Sequence, residues 1–330
     1  MAERTARNYL DPQTLASIVP LELRARMIVE GMMSGMHKSP YFGYSVEFAQ
    51  HRQYAPGDDI RHLDWKIMAK TDKLYLKQYQ KETNLDLVLL VDTSGSMGYT
   101  SSKKKDSDPW TKYDCASSVA CALAYLALRQ QDRVGMAVFA DEVRSITKAS
   151  NAHGHWKSLV DTLSKTELVE GAAEVTKGDV PEEDMAVWSR ATDLGRLFDQ
   201  VTAKLARRSL VVLISDLFDD PESYERGLAR MKHRRHDVIV LQTLDHAELT
   251  FPFRSPSQFI GMEHEGRLNL DPAALRKAYL DALNDHLSKV ENITRRFGFD
   301  YLLVDSSESL GPPLSHFLAR RAAIVNRGRA

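Results

Sequence analysis

The chain has 330 residues, of which 43% are hydrophobic and 27% are charged, and its formal net charge is -1 at pH 7. This length and composition are typical of a soluble globular protein with one large domain or two ordinary ones. A net charge so close to zero provides no global attraction to nucleic acid or to anionic lipid, so both are disfavoured as partners.

Targeting and membrane-spanning features are weak in this sequence. The N-terminal residues MAERTARNYLDPQ lack the apolar core of a secretory signal, and the apolar run from Cys115 to Leu128 is too short and too rich in Ala and Ser to span a bilayer. The two cysteines, Cys115 and Cys121, lie on one predicted helix and face different directions, which excludes a disulfide between them. We therefore predict a cytoplasmic protein with two buried thiols.

Residues 1–83 form a first region with a predicted helix and two predicted strands. Apolar residues recur at helical spacing from Leu21 to Met36, and strand-like patterns cover Ser45 to Gln53 and Lys73 to Glu82. The pattern changes at about residue 84, where a buried strand begins. We therefore predict one domain over 84–330, preceded by a distinct N-terminal region.

The densest run of unusual residues in that first region is YAPGDDIRHLDW, from Tyr54 to Trp65. Pro56 and Gly57 predict a turn, and an aspartate after them can cap a short helix. These local roles do not explain why three acids, an arginine and a tryptophan are so close together. An arginine held by two carboxylates fixes either a joint between domains or a recognition surface. The candidate interface residues are Tyr54, Gly57, Asp58, Asp59, Arg61, Asp64 and Trp65.

A buried strand that ends in a polar turn, LDLVLLVDTSGSM from Leu85 to Met97, is the most informative stretch of the chain. Asp92, Ser94 and Ser96 place one carboxylate and two hydroxyls on alternate residues, and Gly95 lets the backbone turn tightly between them. Oxygen ligands of this kind suit Mg²⁺ or Mn²⁺ rather than zinc. Simple capping of the following turn is the alternative at this point.

Strand and helix patterns alternate after this turn. The predicted elements, in chain order, are a polar loop at Gly98–Trp110, a helix at Tyr113–Gln130, strands at Arg133–Phe139 and Val143–Ile146, helices at His155–Leu163 and Asp193–Arg207, a strand at Ser209–Ile214, a helix at Tyr224–His233, a strand at Asp237–Leu241, a hairpin at Phe259–Leu270, a helix from Pro272 to about Arg296, a strand at Phe299–Val304 and a helix at Leu314–Arg320. This alternation predicts an α/β fold with a doubly wound, mainly parallel sheet and helices on both faces.

Two residues far along the chain belong to the same predicted edge of this sheet. Thr192 is a natural N-cap of the helix that follows it, and Asp216 comes at the end of the strand Ser209–Ile214. If that strand neighbours the one at Leu85, both residues approach Asp92. Two carboxylates about 5 Å apart repel by roughly 3 kcal/mol at an effective dielectric constant near 20, so a positive charge is expected between them.

The set Asp92, Ser94, Ser96, Thr192 and Asp216 resembles the metal-ion-dependent adhesion site of von Willebrand factor A domains. The resemblance implies that these five residues hold Mg²⁺ or Mn²⁺ directly or through water, and that an acidic residue of a protein partner completes the coordination. The chain departs from that family in two places. Leu217 follows Asp216 where many such domains have glycine, and an insertion of about 245–298 precedes the last strand.

The run from Tyr54 to Trp65, with Lys70, Thr71 and Leu74 after it, resembles the signature of a bacterial family of unknown-function proteins that carry this A domain. The resemblance implies an association with MoxR-type AAA+ ATPases and a chaperone-like role in assembling or activating other proteins. Lys70 stands where the signature often has arginine, which weakens a bidentate contact.

Three functions are compatible with these features. The first is a non-enzymatic, Mg²⁺-dependent protein-binding module, as an adaptor or co-chaperone of a MoxR-type ATPase. The second is an Mg²⁺-dependent hydrolase of the phosphatase type, but that chemistry needs a second aspartate where this chain has Ser94, and the chain has no phosphate-binding glycine-rich loop with its lysine. The third is a metal-free scaffold whose carboxylates are neutralised by an arginine.

Overall fold

The structure is a computed structural model, and it describes residues 21–36, 48–55, 63–71, 73–79, 86–101, 109–168, 194–205, 208–262, 266–311 and 314–315. Packing divides the chain into two compact units, one formed by Met1–Lys38 with Leu85–Ala330 and the other by Ser39–Asn84. The helix at Leu21–Met36 therefore groups with the larger unit. The division into domains at residues 83 and 84 stays a prediction.

The bounds of the elements are as follows. The strands are β1 (Phe48–Gln53), β2 (Tyr75–Tyr79), β3 (Asp86–Asp92), β4 (Arg133–Phe139), β5 (Val143–Ser150), β6 (Ser209–Ser215), β7 (Asp237–Leu244), β8 (Ser257–Ile260), β9 (Arg267–Leu270) and β10 (Asp300–Asp305). The helices are α1 (Leu21–Met36), α2 (Trp65–Thr71), α3 (Lys112–Arg129), α4 (His155–Lys165), α5 (Leu194–Lys204), α6 (Pro221–His233), α7 (His246–Thr250) and α8 (Pro272–Arg296).

A six-stranded sheet in the order β10-β7-β6-β3-β4-β5 lies at the centre of the larger unit. Neighbouring strands are parallel except at the edge, where β5 runs antiparallel to β4. The central strand β3 has β4 on one side and β6 on the other. Because these three strands are parallel, their carboxyl ends meet at the same edge of the sheet.

Both faces of the sheet are covered, as the side chains of β3 show. Leu87, Leu89 and Val91 belong to one buried cluster, which includes residues of α1, α3 and α4. Val88 and Leu90 belong to a second cluster with residues of α5, α6 and α8. Successive side chains of a strand point to opposite faces, so a strand buried on both faces reads as a continuous apolar run. The predicted mainly parallel α/β sheet with helices on both faces is confirmed.

Helix α3 begins one residue before the predicted start because Thr111 caps it. The Thr111 hydroxyl accepts a hydrogen bond from the Asp114 amide at 3.1 Å, and the Asp114 carboxylate accepts one from the Thr111 amide at 3.1 Å. This reciprocal capping box satisfies two amides that have no partner within a helix. The shift brings Lys112 into the helix as its first residue.

Helix α6 also begins earlier than predicted, at Pro221 rather than Tyr224. The Asp220 carboxylate accepts hydrogen bonds from the amides of Glu222 and Ser223, and proline is favoured at the first helical position because its ring fixes a helical φ. Helix α5 covers Leu194–Lys204, inside the predicted range of 193–207. The acid-rich turn before α6 is therefore part of a helix cap.

The segment predicted as an insertion, about 245–298, contains α7, the hairpin of β8 and β9, and α8. Gly266, between the two strands of this hairpin, has φ 84°, a conformation that favours glycine. Helix α8 runs from Pro272 to Arg296 as predicted, and the Asp271 carboxylate caps it through the Ala273 amide at 3.0 Å. Phe251 packs on Tyr279 of α8, with ring centroids 4.5 Å apart.

Cys115 and Cys121 are both free and buried, as predicted. Burial raises the pKa of the Cys121 thiol to about 12 and raises that of Cys115 further, because a thiolate loses its hydration there. Both side chains pack in the cluster between α3 and the sheet. Within the described residues, no helix is both long and apolar enough to cross a membrane.

The smaller unit contains an antiparallel pair of strands, β1 and β2, and the short helix α2. Gln53 pairs with Tyr75, and Asp64 donates its backbone amide to the Tyr75 carbonyl at 2.8 Å. Asp64 also caps α2, because its carboxylate accepts the amide of Lys66 at 3.0 Å. Asp64 is thus the cap of α2, whereas Asp58 and Asp59, the predicted helix caps, lie outside the described residues.

Candidate metal centre

The carboxyl end of β3 forms a tight polar turn. Asp92 is the last residue of the strand, and its Oδ1 accepts a hydrogen bond from the Ser94 amide at 2.8 Å. Thr93 is fully buried and donates both its amide and its hydroxyl to the Phe139 carbonyl, each at 2.7 Å. These bonds fasten the turn to β4 and fix the direction in which the Asp92 side chain points.

The two serines of the turn lie side by side. Ser94 Oγ and Ser96 Oγ are 3.1 Å apart, and a single 3₁₀ turn over Gly95–Gly98 follows at once. Ser94 stands at the N-terminal end of this turn but makes no side-chain cap. Capping therefore does not account for the Ser94 hydroxyl, which instead joins Asp92 and Ser96 in a set of oxygen donors.

The end of β6 is joined to the end of β3 by a buried hydrogen bond. Ser215 donates its hydroxyl to Asp92 Oδ2 at 2.5 Å, and Ser215 Oγ in turn accepts the Leu217 amide at 3.0 Å. Leu217 has φ 58°, so this residue, which is not a glycine, adopts the left-handed backbone conformation. This costs an L-residue roughly 1 to 2 kcal/mol, and the buried Leu217 side chain offsets it.

Asp216 is close enough to Asp92 to influence the ionisation of Asp92. Both are buried, and burial together with the negative charge of Asp216 raises the pKa of Asp92 from 3.8 to about 7. Hydrogen bonds from Ser215 and Ser94 oppose the rise, because they stabilise the ionised form. The pair therefore holds negative charge that its own hydrogen bonds do not fully compensate.

A lysine supplies the positive charge that the sequence required here. Lys112 is fully buried, and its Nζ lies 2.8 Å from Asp216 Oδ2 and 2.8 Å from Glu248 Oε1. Burial alone lowers a lysine pKa, but the two carboxylates outweigh it and raise the pKa of Lys112. The side chain therefore stays protonated at neutral pH.

Lys112 is held against the preference of its own helix. It is the first residue of α3, where the helix dipole disfavours a positive charge. Glu248 belongs to α7, and its other oxygen accepts the Asp245 amide at 2.7 Å within a capping box. Burial raises the pKa of Glu248, and Lys112 opposes that rise. The ammonium thus connects the start of α3, the end of β6 and α7.

Further contacts fix the backbone at Asp216. Gln242 of β7 donates its side-chain amide to the Asp216 carbonyl at 2.7 Å, and Tyr301 of β10 donates its hydroxyl to Gln242 Oε1 at 2.8 Å. Gln242 is fully buried, so its bond to the Asp216 carbonyl is shielded from water. Three neighbouring strands therefore hold the second carboxylate of the site in position.

Phe218 forms an exposed aromatic rim beside the carboxylates. Its side chain is 48% exposed, its ring stacks on His286 with centroids 5.8 Å apart, and Lys112 Nζ lies 5.4 Å from the ring centre. His286 in turn makes a 2.8 Å hydrogen bond to the Leu217 carbonyl through Nε2. An exposed aromatic ring next to a polar site is a common feature of protein-binding surfaces.

Of the five predicted metal ligands, Asp92, Ser94, Ser96 and Asp216 lie around the ends of β3 and β6. Thr192 lies outside the described residues. Sequence reasoning missed Lys112, Ser215 and Glu248. The one available signal was electrostatic, since two carboxylates at neighbouring strand ends require a cation, but nothing in the local pattern identified which lysine or arginine supplies it.

The donor set fits a hard divalent cation in its chemistry. All four described candidate ligands offer oxygen, and Mg²⁺ or Mn²⁺ occupies sites of carboxylate and hydroxyl oxygens with several waters retained. Among the residues that the structure describes, no group of three or more His, Cys, Asp and Glu side chains is arranged to bind a metal. The candidate site has only two acids and depends on hydroxyls for its other ligands.

A separate cavity of about 630 Å³ opens at the other end of the strands. Its lining includes Asp86, Arg133 and Ser209, the first residues of β3, β4 and β6. Other residues of β3, β4 and β5 and the end of α5 line the rest. The cavity is therefore at the opposite edge of the sheet from Asp92.

The signature residues of the smaller unit are described in part. Tyr54, Asp64 and Trp65 lie within the described residues, whereas Gly57, Asp58, Asp59 and Arg61 lie outside them. Asp64 is buried because it caps α2, and Trp65 is 64% exposed.

Comparison with known proteins identifies a family but not an activity. A family described as "Protein of unknown function DUF58" matches residues 50–289. Uncharacterized proteins of Mycobacterium tuberculosis and Mycobacterium bovis are 24% identical to this chain over 315 residues, which cover 94% of this chain and 90% of each relative.

Two solved structures resemble the chain at low similarity. One is a conserved hypothetical protein, BatB, from Bacteroides thetaiotaomicron, with a TM-score of 0.41 and 14% identity over 72% of this chain and 99% of that chain. The other is an aerotolerance-related membrane protein from Bacteroides fragilis, with a TM-score of 0.41 and 13% identity over the same shares.

Proposed function

We propose, from the premise that the chain belongs to the DUF58 family of proteins of unknown function, that it is a non-enzymatic protein-binding module whose binding depends on Mg²⁺ or Mn²⁺. The proposal includes a von Willebrand factor A fold for the larger unit and an adhesion-type metal site at the ends of β3 and β6. In this proposal, Asp92, Ser94, Ser96, Thr192 and Asp216 hold the ion. The protein acts in the cytoplasm.

One observation carries the proposal: the carboxylates of Asp92 and Asp216 are buried side by side at the ends of neighbouring strands, with two serine hydroxyls next to them. Burial and mutual repulsion raise the pKa of Asp92 to about 7, so an added cation is favoured there. A divalent ion supplies the positive charge for both carboxylates and polarises whatever oxygen ligand reaches it from outside.

The proposed partner supplies an acidic side chain to the ion. A site with neutral hydroxyl ligands and two carboxylates leaves a bound Mg²⁺ with coordination positions that water or a partner oxygen fills. The exposed ring of Phe218 offers an apolar contact beside the same position. From the family resemblance, we propose a MoxR-type AAA+ ATPase as the partner and the assembly or activation of other proteins as the role.

A phosphatase-type hydrolase is the less favoured alternative. Asp92 accepts hydrogen bonds on both oxygens, from the Ser94 amide and the Ser215 hydroxyl, which restrains it as a nucleophile. The position two residues later holds Ser94, whose hydroxyl is a poor general acid or base at neutral pH. Turnover of a generic phosphate ester that disappears in Asp92→Ala would favour this alternative.

A metal-free scaffold is the second alternative, and Lys112 favours it. The ammonium is 2.8 Å from Asp216 and is therefore a resident positive charge at the site. The sequence suggested an arginine in this role, but a lysine is the residue in contact. A titration with Mg²⁺ or Mn²⁺ separates this alternative from the leading proposal.

The test of the leading proposal is a pull-down from native lysate with the whole chain as bait, in Mg²⁺ and in chelator. We expect partners that the wild type captures in Mg²⁺ but not in chelator, and that Asp92→Ala does not capture although its circular dichroism spectrum is unchanged. Asp161→Ala, an exposed acid on α4, is the matched control and should capture the same partners. Capture that survives both chelation and Asp92→Ala would contradict the proposal.

A further inference from the structure

Lys112 has an arrangement that a simple structural ion pair does not require. Its ammonium is fully buried and makes two contacts of equal length, 2.8 Å to Asp216 Oδ2 and 2.8 Å to Glu248 Oε1. One of these carboxylates is a proposed metal ligand, and the other, on α7, is not. A single cation is therefore shared between the metal site and a neighbouring helix.

We propose that Lys112 is the internal counter-cation of the strand-end site and sets its affinity for metal, an inference that rests on the proposed function. Without a divalent ion, the ammonium neutralises Asp216. When an ion is bound by Asp92 and Asp216, it repels the ammonium, which then relies on Glu248. Because Glu248 already accepts a hydrogen bond from Lys112, the shift needs no new partner.

The surroundings of Lys112 support this role. Burial makes an unpaired ammonium costly, so the side chain must keep at least one carboxylate at all times. Glu248 is fixed in place by its second oxygen, which accepts the Asp245 amide at 2.7 Å. The rings of Phe218 and Tyr99 also lie near Nζ, at 5.4 Å and 6.0 Å from the ring centres, and both can stabilise a cation.

The arrangement predicts that substitutions of Lys112 and of Glu248 change the metal affinity in opposite directions. Removing the ammonium with Lys112→Met removes the competitor and leaves two negative carboxylates for the ion, so metal should bind more tightly. Neutralising the alternative acceptor with Glu248→Gln leaves the ammonium dependent on Asp216, so metal should bind more weakly. If Lys112 had a purely structural role, both substitutions would change the stability of the chain, but they would not change its metal affinity in opposite directions.

The experiment is a calorimetric titration of Mn²⁺ into the chelator-treated whole chain, with thermal unfolding measured in chelator and in Mn²⁺. We expect at least tenfold tighter binding by Lys112→Met and at least threefold weaker binding by Glu248→Gln than by the wild type. In chelator, Lys112→Met should have a lower melting temperature than the wild type. Addition of Mn²⁺ should raise the melting temperature of Lys112→Met more than that of the wild type. Lys157→Met, an exposed lysine on α4, should match the wild type in both measurements.

The outcomes separate this inference from the proposed function. Equal Mn²⁺ affinity in the wild type, Lys112→Met and Glu248→Gln would overturn the role of Lys112 and leave the proposed metal site intact. Binding by Lys112→Met alone would support the counter-cation and overturn metal dependence of the wild type. Absence of Mn²⁺ binding in all variants would overturn both. If Lys112→Met does not fold, the Mn²⁺ affinity of Glu248→Gln decides the question. A Mn²⁺ affinity of Glu248→Gln within twofold of the wild-type value would overturn the inference.

Discussion

Ser215 at the end of β6 donates a 2.5 Å hydrogen bond to Asp92 Oδ2 at the end of β3, and this bond is buried. It joins two strands at the edge where the candidate ligands meet. The same serine oxygen accepts the Leu217 amide at 3.0 Å, so it also holds the turn that carries Asp216. The Ser215 hydroxyl therefore positions both carboxylates of the site.

Replacing Ser215 with alanine should destabilise the chain by about 1 to 3 kcal/mol, because Asp92 loses a donor and the buried Leu217 amide loses its acceptor. Chemical denaturation monitored by circular dichroism measures the change. Ser118→Ala is the matched control, since Ser118 Oγ is buried without a hydrogen-bond partner among the described residues. We expect the control to be neutral or stabilising. A Ser215→Ala variant as stable as the control would contradict the positioning role.

The pH dependence of stability should carry the signature of Asp92. Its pKa is about 7 in the folded chain against an ordinary value of 3.8. Between these values the folded state holds a proton that the unfolded state has released, so the unfolding free energy falls as pH rises from about 4 to about 7, by at most about 1.4 kcal/mol per pH unit from this group. The contribution is fully present below about pH 4.

To isolate this effect, the unfolding free energies of the wild type and of Asp92→Asn are measured in chelator by denaturation at several pH values. Asparagine does not titrate, so the wild-type stability minus that of the variant should fall across the same interval. Two curves that run parallel from about pH 4 to pH 7 would show that Asp92 ionises normally. Adding Mg²⁺ should reduce the fall, because metal binds the ionised carboxylate.

The contact between α5 and α6 depends on Gly227. A Cβ at this position would lie 2.1 Å from Cδ2 of Phe198, which is fully buried. Gly227→Ala should therefore destabilise the chain by about 1 to 3 kcal/mol or more, despite the better helix propensity of alanine. Arg226→Ala, on the exposed side of the same helix, should change the midpoint little. Equal midpoints of urea unfolding for Gly227→Ala and the wild type would contradict the packing described for these helices.

Trp65 offers a test of the smaller unit as a recognition surface. Its side chain is 64% exposed, so Trp65→Ala should leave the melting temperature within a few degrees of the wild type. If the signature region contacts a partner, the variant should lose captured protein in the Mg²⁺ pull-down. Lys66→Ala, the next exposed residue on α2, is the control. Unchanged capture by Trp65→Ala would exclude a contribution from this side chain.

The sheet was predictable because its signal is local. The strand at Asp86–Asp92 is a continuous apolar run, and the pattern of α8 is bounded by Asp271 and Pro272. The sequence pattern predicts starts for α3 and α6 that are later than the observed ones. The reason is that the caps, Thr111 and Asp220, precede the first apolar residue of each helix. Periodicity locates the buried face of a helix better than its ends.

The site was predictable only in part, because its charge balance depends on residues that are distant in sequence. Asp92 and Asp216 follow apolar strands and are visible as strand ends. Lys112 and Glu248 are 136 positions apart and meet only through the fold. Each of them, viewed alone in the sequence, is an ordinary charged residue near the start of a helix.

The most direct test of the proposed metal-dependent function is a calorimetric titration of Mg²⁺ into the chelator-treated whole chain, for the wild type and for Asp92→Asn. Asparagine keeps the shape of the side chain but removes the charge that the ion requires. We expect saturable binding of one Mg²⁺ by the wild type and no measurable binding by the variant. Equal binding by both, or none by the wild type, would contradict it.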